Sequence, residues 1–265
     1  MQSISGESLR HKYLSEEDAE RLYKYTEIRP DPKSYCPTCF KEGVYTFEGE
    51  EYECDCQLQL QLLKHYTNAG IGLAYQRLDW DDFEGDPGAL NMVEQFWKQR
   101  KLFFQKGLGL MFQGDYGTGK TMLQALLAKD LVKSGYSVYM TKATAMLDQF
   151  TSGWRSDEER VFFQKKVKGS QVLVLDDLGK EMRSTSNLAQ STFDDVLRSR
   201  VQEGKSTLVT TNLTSEEIDS GYGGAILSML REISAFYRVE GADFREKSSK
   251  RTIQESLRGE TRPIV

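Results

Sequence analysis

The sequence has 265 residues, of which 38% are hydrophobic and 28% charged, and its formal net charge is −5. This size and composition are typical of a globular protein with one large domain, or a medium domain plus a small module. No apolar run approaches the roughly 18 residues that a membrane-spanning helix needs. The first residues also lack the basic start and apolar stretch of a signal peptide. We therefore expect a cytoplasmic protein with no membrane partner.

The negative charge is concentrated at the front of the chain. Residues 1–70 carry 8 Lys/Arg and 13 Asp/Glu, which accounts for the whole net charge of −5 and leaves the remainder neutral. An acidic front part favours contact with protein over contact with nucleic acid, and a solvated acidic surface is an equal alternative. Any nucleic-acid contact is expected from local basic patches in the second part of the chain.

The cysteines form a C-x-x-C pair followed by a C-x-C pair, and they are Cys36, Cys39, Cys54 and Cys56. Between the pairs, residues 44–53 show the pattern of a β-hairpin with a glycine turn. Four thiolates can close a tetrahedral Zn²⁺ site, and the metal would supply folding energy that so small a hairpin lacks. The pattern favours a zinc ribbon over about residues 34–58. Two disulfides, which cytosolic proteins disfavour, and free structural thiols are the alternatives.

Helical segments surround this motif. A capping sequence predicts a short helix over residues 15–26, and a second helix is predicted over residues 57–65. A third, over residues 89–105, follows a turn at 84–88. Its apolar side chains recur near helical spacing, and we expect them in the core rather than on a base-stacking surface. They are Val93, Phe96, Trp97 and Phe104.

The motif G-x-x-x-x-G-K-[ST] of a phosphate-binding loop follows an apolar run at 108–112 and precedes strong helix formers at 122–128. Strand, glycine-rich turn and helix in that order is the context the motif requires. Backbone N–H groups and the helix N-terminus would bind phosphate oxygens. The predicted ATP-binding residues are Gly114, Asp115, Tyr116, Gly117, Thr118, Gly119, Lys120 and Thr121. Lys120 would reach the β- and γ-phosphates, and the Thr121 hydroxyl would hold Mg²⁺.

After this loop, apolar strand patterns alternate with helical ones. Strands are predicted over 136–140, 171–175 and 206–211, and helices over 119–133, 144–150, 156–168 and 187–203. Such alternation predicts an α/β fold in which helices cover both faces of a parallel sheet. The tail, residues 245–265, is mildly basic, and we expect it to be flexible.

Polar side chains end two of these strands. Asp176 and Asp177 follow the apolar run 172–175, and Asn212 follows the strand 206–211. Ligands of open α/β sheets bind at this carboxyl edge. Asp176 is placed to hold Mg²⁺, Asp177 to polarise the attacking water, and Asn212 to orient water near the γ-phosphate. The alternative for the two acids is an N-cap pair on the next turn.

These motifs together resemble one family. GDYGTGKT, VLVLDDLG, the helix containing FDDVL and the strand LVTTNL resemble the AAA+ ATPases of the helicase-loader group, of the DnaC/DnaI type, with the related IstB-like ATP-binding proteins. The resemblance covers about residues 69–247. It implies an AAA+ P-loop core over 69–265 that self-associates. It also implies an N-terminal zinc module over 1–68 that contacts a replicative helicase.

The resemblance assigns further roles by position. Asn212 matches the sensor 1 residue, and Arg245 matches a nucleotide-sensing arginine. At the arginine finger, which inserts into a neighbour's ATP, the family has Ser-Arg-Leu, whereas this chain has Met229 at the arginine position. Either Arg231 substitutes with shifted geometry, or the intersubunit ATPase is weak. The departure concerns hydrolysis more than ATP binding.

Candidate contacts with single-stranded DNA lie between the second strand of the core and the acidic strand end. In the family that this sequence resembles, this part of the fold faces a central channel. A groove lined by cations and an aromatic side chain suits the binding of single-stranded DNA. A solvated helix face is an equal alternative. The candidates are Lys142, Trp154, Arg155, Lys165, Lys166 and Lys168.

The sequence thus predicts a Mg²⁺-dependent ATPase that binds a replicative DnaB-type helicase and delivers it to DNA during replication initiation. An IstB-like transposition or DNA-remodelling ATPase that recruits a transposase is the alternative within the family. A metabolite kinase would leave the cysteine module unexplained. A zinc-binding adaptor without ATPase activity is disfavoured by the intact Lys120, Thr121, Asp176 and Asp177.

Overall fold

A computed structural model describes residues 44–47, 49–53, 55–180, 186–258, 262, 264 and 265. Its strands are β1 (Val44–Phe47), β2 (Glu50–Glu53), β3 (Gly109–Gly114), β4 (Val138–Lys142), β5 (Val172–Leu178), β6 (Ser206–Thr211) and β7 (Ser234–Val239). Its α-helices are α1 (Asp55–Asn68), α2 (Leu73–Gln76), α3 (Pro87–Gln105), α4 (Lys120–Lys133), α5 (Ala143–Ser152), α6 (Asp157–Phe163), α7 (Ser186–Gln202), α8 (Ser215–Tyr222), α9 (Gly224–Ile233) and α10 (Arg245–Leu257). A 3₁₀ turn spans Trp80–Asp82 and a π-helical turn spans Gln164–Lys168.

The larger sheet has the strand order β4-β5-β6-β3-β7, and all its neighbouring strands are parallel. The predicted α/β fold is therefore confirmed. Residues 172–175 of β5 are fully buried, as expected for a strand with neighbours on both sides and helices on both faces. The strand β3, which leads into the phosphate loop, lies between β6 and β7. The loop therefore starts inside the sheet and not at its edge.

The predicted hairpin is also present. β1 and β2 pair antiparallel, with Val44 opposite Glu53 and Phe47 opposite Glu50. The helix predicted over 57–65 is α1, which extends further in both directions. The helix predicted over 15–26 lies outside the described residues.

The helix α3 shows how local sequence positions an element. Asp86 caps it by accepting a hydrogen bond from the Gly88 N–H at 2.8 Å, and Pro87 occupies the first turn, where its missing N–H costs nothing. The side chains Val93 and Phe96 are buried as predicted, whereas Trp97 and Phe104 are half-buried.

Between residues 212 and 244, where the sequence pattern predicts no element, the structure has α8, α9 and β7. A capping box between Thr214 and Glu217 starts α8. The strand β7 pairs with β3 at the sheet edge, and only Val239 is fully buried along it. An edge strand of this kind carries a weak apolar pattern, which explains why the sequence did not reveal it.

The described residues form two compact units. One contains those up to Asp82 together with those from Lys247 onward, and the other spans Phe83–Glu246. The domain boundary predicted between residues 68 and 69 stays a prediction. No helix within the described ranges is long and apolar enough to cross a membrane.

The expectation of a flexible tail is wrong for the described residues after Arg245. They form α10, and residues beyond it are anchored within the first unit. The Val265 N–H donates to the Gln76 carbonyl at 3.2 Å, and the Tyr66 hydroxyl donates to the Val265 carbonyl at 2.9 Å. The side chain of Ile264 is buried. Two basic residues of the tail, Arg251 and Arg262, both pair with Asp82.

Candidate nucleotide-binding site

The phosphate loop connects β3 to α4, and two of its glycines are required by their surroundings. Gly117 and Gly119 have φ values of +77° and +92°, which side-chain-bearing residues rarely adopt. A Cβ atom would lie 1.9 Å from Asp243 Oδ1 at Gly117 and 2.8 Å from the Phe83 ring at Gly119. The Phe244 N–H donates to the Gly117 carbonyl at 3.1 Å. One segment that precedes the loop in sequence and one that follows it, at Phe83 and at residues 243–244, therefore hold the loop in its curled form.

Lys120 begins α4 and points back into this loop. Its Nζ donates to the carbonyls of Gly114 at 2.9 Å and Asp115 at 2.6 Å. Burial lowers the pKa of Lys120, and the negative charges of Asp177, Asp115 and Asp176 oppose that shift. The ammonium group is therefore surrounded by acids and carbonyl oxygens at the loop. A phosphate oxygen could replace the carbonyls as its hydrogen-bond acceptor.

Asp176 lies at the centre of a hydroxyl network. The hydroxyls of Thr121 and Thr210 both donate to Asp176 Oδ1, at 2.8 Å and 2.6 Å. Burial raises the pKa of Asp176, and these two hydrogen bonds act against that shift. A carboxylate and a hydroxyl this close supply the hard oxygen ligands that Mg²⁺ prefers. Thr121 and Asp176 therefore fit a magnesium ion next to the phosphate loop.

Asp177 has an unusual backbone. Its φ is +59°, and the pairing of β5 with β6 shifts register between Leu175 and Leu178, which indicates a bulge. The Asp177 N–H donates to the Thr210 hydroxyl at 2.9 Å, and its Oδ2 lies 2.6 Å from Lys180 Nζ. Bulges of this kind redirect side chains at functional sites. Here the bulge allows the side chains of two successive residues, Asp176 and Asp177, to lie at the same edge of the sheet.

The structure brings Arg245 to the site and places Asn212 at the sheet edge. Arg245 is the first residue of α10, and its guanidinium lies 6.0 Å from the centroid of the Tyr116 ring in the phosphate loop. Its charge contributes to lowering the pKa of Lys120, after burial. Asn212 follows β6 directly and is half-buried.

Arg231 lies elsewhere, on α9, and is exposed. Met229 is half-buried and packs against the hydrophobic core. The position where the resemblance expects an arginine therefore faces the core here. Arg231 borders an apolar groove with Leu227, Leu230 and Phe236.

The four predicted zinc ligands are not among the side chains that the structure describes. Cys36, Cys39 and Cys54 lie outside the described residues, as does the side chain of Cys56. Among the side chains that are described, no group of three or more His, Cys, Asp or Glu could hold a metal ion.

The candidate DNA-contacting residues divide into two groups. Lys142, Arg155 and Lys165 are exposed, and Trp154 is 66% exposed while it packs edge-on against Phe150. The other two are engaged within the fold. Lys168 pairs with Asp195 at 2.6 Å, and Lys166 lies 5.9 Å from the Tyr139 ring centroid.

Three residues that contact the site, Thr210, Phe83 and Asp243, have no role predicted from the sequence. Thr210 stands in the Thr-Thr-Asn strand end, and its position two residues before Asn212 was the available signal. No local pattern indicates that Phe83 and Asp243 pack against the loop glycines, because both lie far from the loop in sequence.

Comparison with known proteins places this geometry in a family. A family model described as IstB-like ATP binding protein matches residues 100–252. The chain is 25% identical over 231 residues to the replicative helicase loader DnaI of Bacillus subtilis, covering 77% of this chain and 71% of DnaI. It is 22% identical over 180 residues to the loader DnaC of Escherichia coli K12, covering 65% of this chain and 70% of DnaC.

Solved structures share the fold. A crystal structure of the DnaC helicase loader superposes with a TM-score of 0.57 and 24% identity, over 64% of this chain and 100% of that one. A DnaI crystal structure gives 0.53 and 22%, over 63% and 93%. These likenesses show that the chain shares its fold with the two loader structures. Since the family model spans more than half of the sequence and includes the phosphate loop, this chain belongs to the IstB-like ATP binding protein family.

Proposed function

We propose that this chain is an ATP-dependent loader that binds a replicative DnaB-type helicase and delivers it to DNA during replication initiation. The observation that carries the proposal is the extent of the similarity to the DnaI loader, which covers 77% of the chain, more than the ATP-binding region of residues 100–252 alone. The shared part therefore includes sequence outside the family's common region.

Within this function, the phosphate loop binds ATP and Lys120 contacts its β- and γ-phosphates. Thr121 and Asp176 hold Mg²⁺, which when bound offsets the charge of the phosphates. Asp177 polarises the attacking water and Asn212 orients it. Arg245 senses the nucleotide from beside Tyr116, at 6.0 Å from its ring. Replacing Lys120 with alanine should abolish ATP binding, while Lys101→Ala, on the exposed face of α3, should not.

Self-association through the AAA+ core would bring the exposed Arg231 to a neighbouring copy. Single-stranded DNA would contact the exposed Trp154, Arg155 and Lys165. Replacing Trp154 with alanine should weaken binding of single-stranded DNA without weakening ATP binding. Phe162, also exposed and nearby in sequence, provides the matched aromatic control.

The zinc ribbon is proposed from the cysteine pattern and the hairpin between the two pairs. In the β1–β2 register Val44 is opposite Glu53, so the two ends of the hairpin are adjacent. This arrangement suits two cysteine pairs that share one metal. The full chain should contain one zinc per molecule, and the Cys36→Ser/Cys39→Ser double variant should lose it.

The loader function is tested by co-purifying the full chain with the replicative helicase of the same organism in the presence of an ATP analogue. A stoichiometric complex that the cysteine double variant fails to form, with ATP binding unchanged, is the expected result. Failure of the wild-type chain to bind the helicase would refute the proposal.

The family's IstB-like description favours a second candidate, a transposition or DNA-remodelling ATPase that recruits a transposase. This alternative predicts ATP-dependent assembly on duplex DNA without helicase contact. Filter binding of duplex and single-stranded DNA, with and without ATP, separates it from the loader.

A further inference from the structure

Lys180 is a charged residue next to the nucleotide site that the mechanism above does not use. It lies three residues beyond Asp177, and its Nζ is 2.6 Å from Asp177 Oδ2. The chain turns between them at Gly179, whose φ is +111°. The Lys180 side chain is 46% exposed and the Asp177 side chain 20%. The lysine thus approaches a largely buried carboxylate from the solvent side.

A second contact relates Lys180 to the phosphate loop. Its Nζ lies 5.9 Å from the centroid of the Tyr116 ring, and Arg245 lies 6.0 Å from the same centroid. Cations from two separate parts of the chain therefore flank one loop residue. Asp177 is also the carboxylate with the largest charge effect on Lys120. Asp177 consequently faces cations from both the loop and the solvent side.

The ion pair of Lys180 with Asp177 is partly exposed to solvent. Partly exposed pairs contribute little to stability, because solvent screens them and the long side chain loses freedom in forming them. A triphosphate at the loop offers several charged oxygens as hydrogen-bond acceptors, and charge-assisted bonds to phosphate are strong. A lysine on a flexible stem can change partners without any change in the backbone.

We propose that Lys180 distinguishes ATP from ADP: it binds Asp177 as the structure shows and turns to the terminal phosphate oxygens when Mg-ATP binds. The exchange releases Asp177 Oδ2 from Lys180, so that this oxygen can accept a hydrogen bond from water. ADP lacks the γ-phosphate and leaves the pair in place. Because Lys180 belongs to the same chain as the site, its positive charge would also replace part of the role of the arginine finger, whose expected position is Met229 here. The inference rests on the proposed ATPase function.

The direct test measures binding of Mg-ADP and of a non-hydrolysable Mg-ATP analogue to the full chain by calorimetry. Lys180→Met should weaken binding of the analogue about tenfold and leave ADP binding unchanged. Lys180→Arg should retain most of the preference, since it keeps the charge. Lys101→Met, an exposed lysine replaced on α3, is the matched control. Equal weakening of both nucleotides, or no change, would overturn the inference.

Steady-state hydrolysis adds a second readout. Lys180→Met should lower kcat at least tenfold, beyond any change in KM that follows from weaker binding, and Lys180→Arg should restore part of it. A higher kcat in Lys180→Met would make the lysine a simple brake and overturn the inference. If the wild-type chain hydrolyses no ATP, the proposed ATPase fails, but the binding ratio still decides the role of Lys180. If it hydrolyses ATP and the ratio is unmoved, the inference alone fails.

Discussion

The Thr121 hydroxyl donates a hydrogen bond of 2.8 Å to Asp176 Oδ1 and joins two residues that are 55 positions apart in the chain. Thr210, from the neighbouring strand β6, donates to the same oxygen at 2.6 Å. The start of α4, the end of β5 and the end of β6 therefore meet at one buried carboxylate. Because these hydrogen bonds come from separate elements, Asp176 has this orientation only when α4, β5 and β6 are packed together.

Replacing Thr210 with valine tests this convergence. Valine keeps the shape but loses the hydrogen bond to Asp176 and the one that the hydroxyl accepts from the Asp177 N–H. We expect a loss of about 1–3 kcal/mol in the free energy of unfolding, because buried groups lose partners. The Mg²⁺ concentration for half-maximal ATP binding should rise several-fold. Thr151→Val on α5, where the hydroxyl is exposed, is the control. An unchanged Mg²⁺ dependence would contradict the assignment.

Gly117→Ala should weaken ATP binding at least tenfold, because the new methyl group would meet the Asp243 carboxylate. Gly135 provides a matched control. It has a similar φ, +81°, but a Cβ there would have no heavy atom within 4 Å. Both substitutions carry the backbone cost of about 1–2 kcal/mol for left-handed residues, and only Gly117→Ala adds a collision. Adding Asp243→Ala should restore part of the affinity. Equal ATP affinity in the two single variants would count against a steric role for Gly117.

Arg200→Met should be strongly destabilising. The side chain is 0% exposed and donates to the carbonyls of Val167, Ser170 and Ser206 and to the Thr207 hydroxyl. Burial lowers its pKa to about 9. Removing it leaves several buried carbonyls unpaired, at a cost of roughly 3 kcal/mol or more in denaturant unfolding.

The control for this variant lies on the same helix. Arg198 forms an exposed pair with Asp194, and Arg198→Met should hardly change the unfolding midpoint, because solvent screens exposed ion pairs. Similar midpoints and slopes for the two variants would show that Arg200 stabilises no more than a surface arginine.

The pH dependence of the first unit should follow Asp82. Burial alone would raise the pKa of Asp82, but hydrogen bonds from Arg262, the Asp79 backbone and Arg251 lower it overall. A lowered folded-state pKa means that the stabilisation is complete above the ordinary value of 3.8 and is lost as pH falls through the folded-state pKa. The protection factor of the Val265 amide, its exchange rate relative to an unstructured amide at the same pH, should therefore fall on acidification.

Two neighbouring carboxylates separate this effect from general acid unfolding. Asp82→Asn should lower the protection factor of the Val265 amide already at neutral pH. It should also make the further fall of this protection factor on acidification smaller. Asp81→Asn, at the exposed neighbour, should leave both unchanged. If the protection factor of the Val265 amide depends on acid pH in Asp82→Asn as it does in the wild-type chain, groups other than Asp82 cause the effect.

The sequence alone determined the features that depend on residues close together in the chain. The phosphate loop, the acids at the end of β5 and the alternation of strands and helices follow from local spacing, and each could be identified without a partner. The edge strand β7 and the helix α10 were missed, because partly exposed elements carry weak apolar patterns. Their position depends on distant partners, such as β3 for the strand and Asp82 for Arg251.

Only the tertiary structure decided how the site residues support one another. Three sets of contacts depend on the folded geometry. They are the hydrogen bonds of Thr210 to two successive acids, the close approach of Asp243 and Phe83 to the loop glycines, and the pairing of Lys180 with Asp177. The first two join residues far apart in sequence, and the third depends on the turn at Gly179. Residue spacing shows which chemistry a chain can perform, whereas the contacts that orient the groups arise only when the sheet brings its strand ends together.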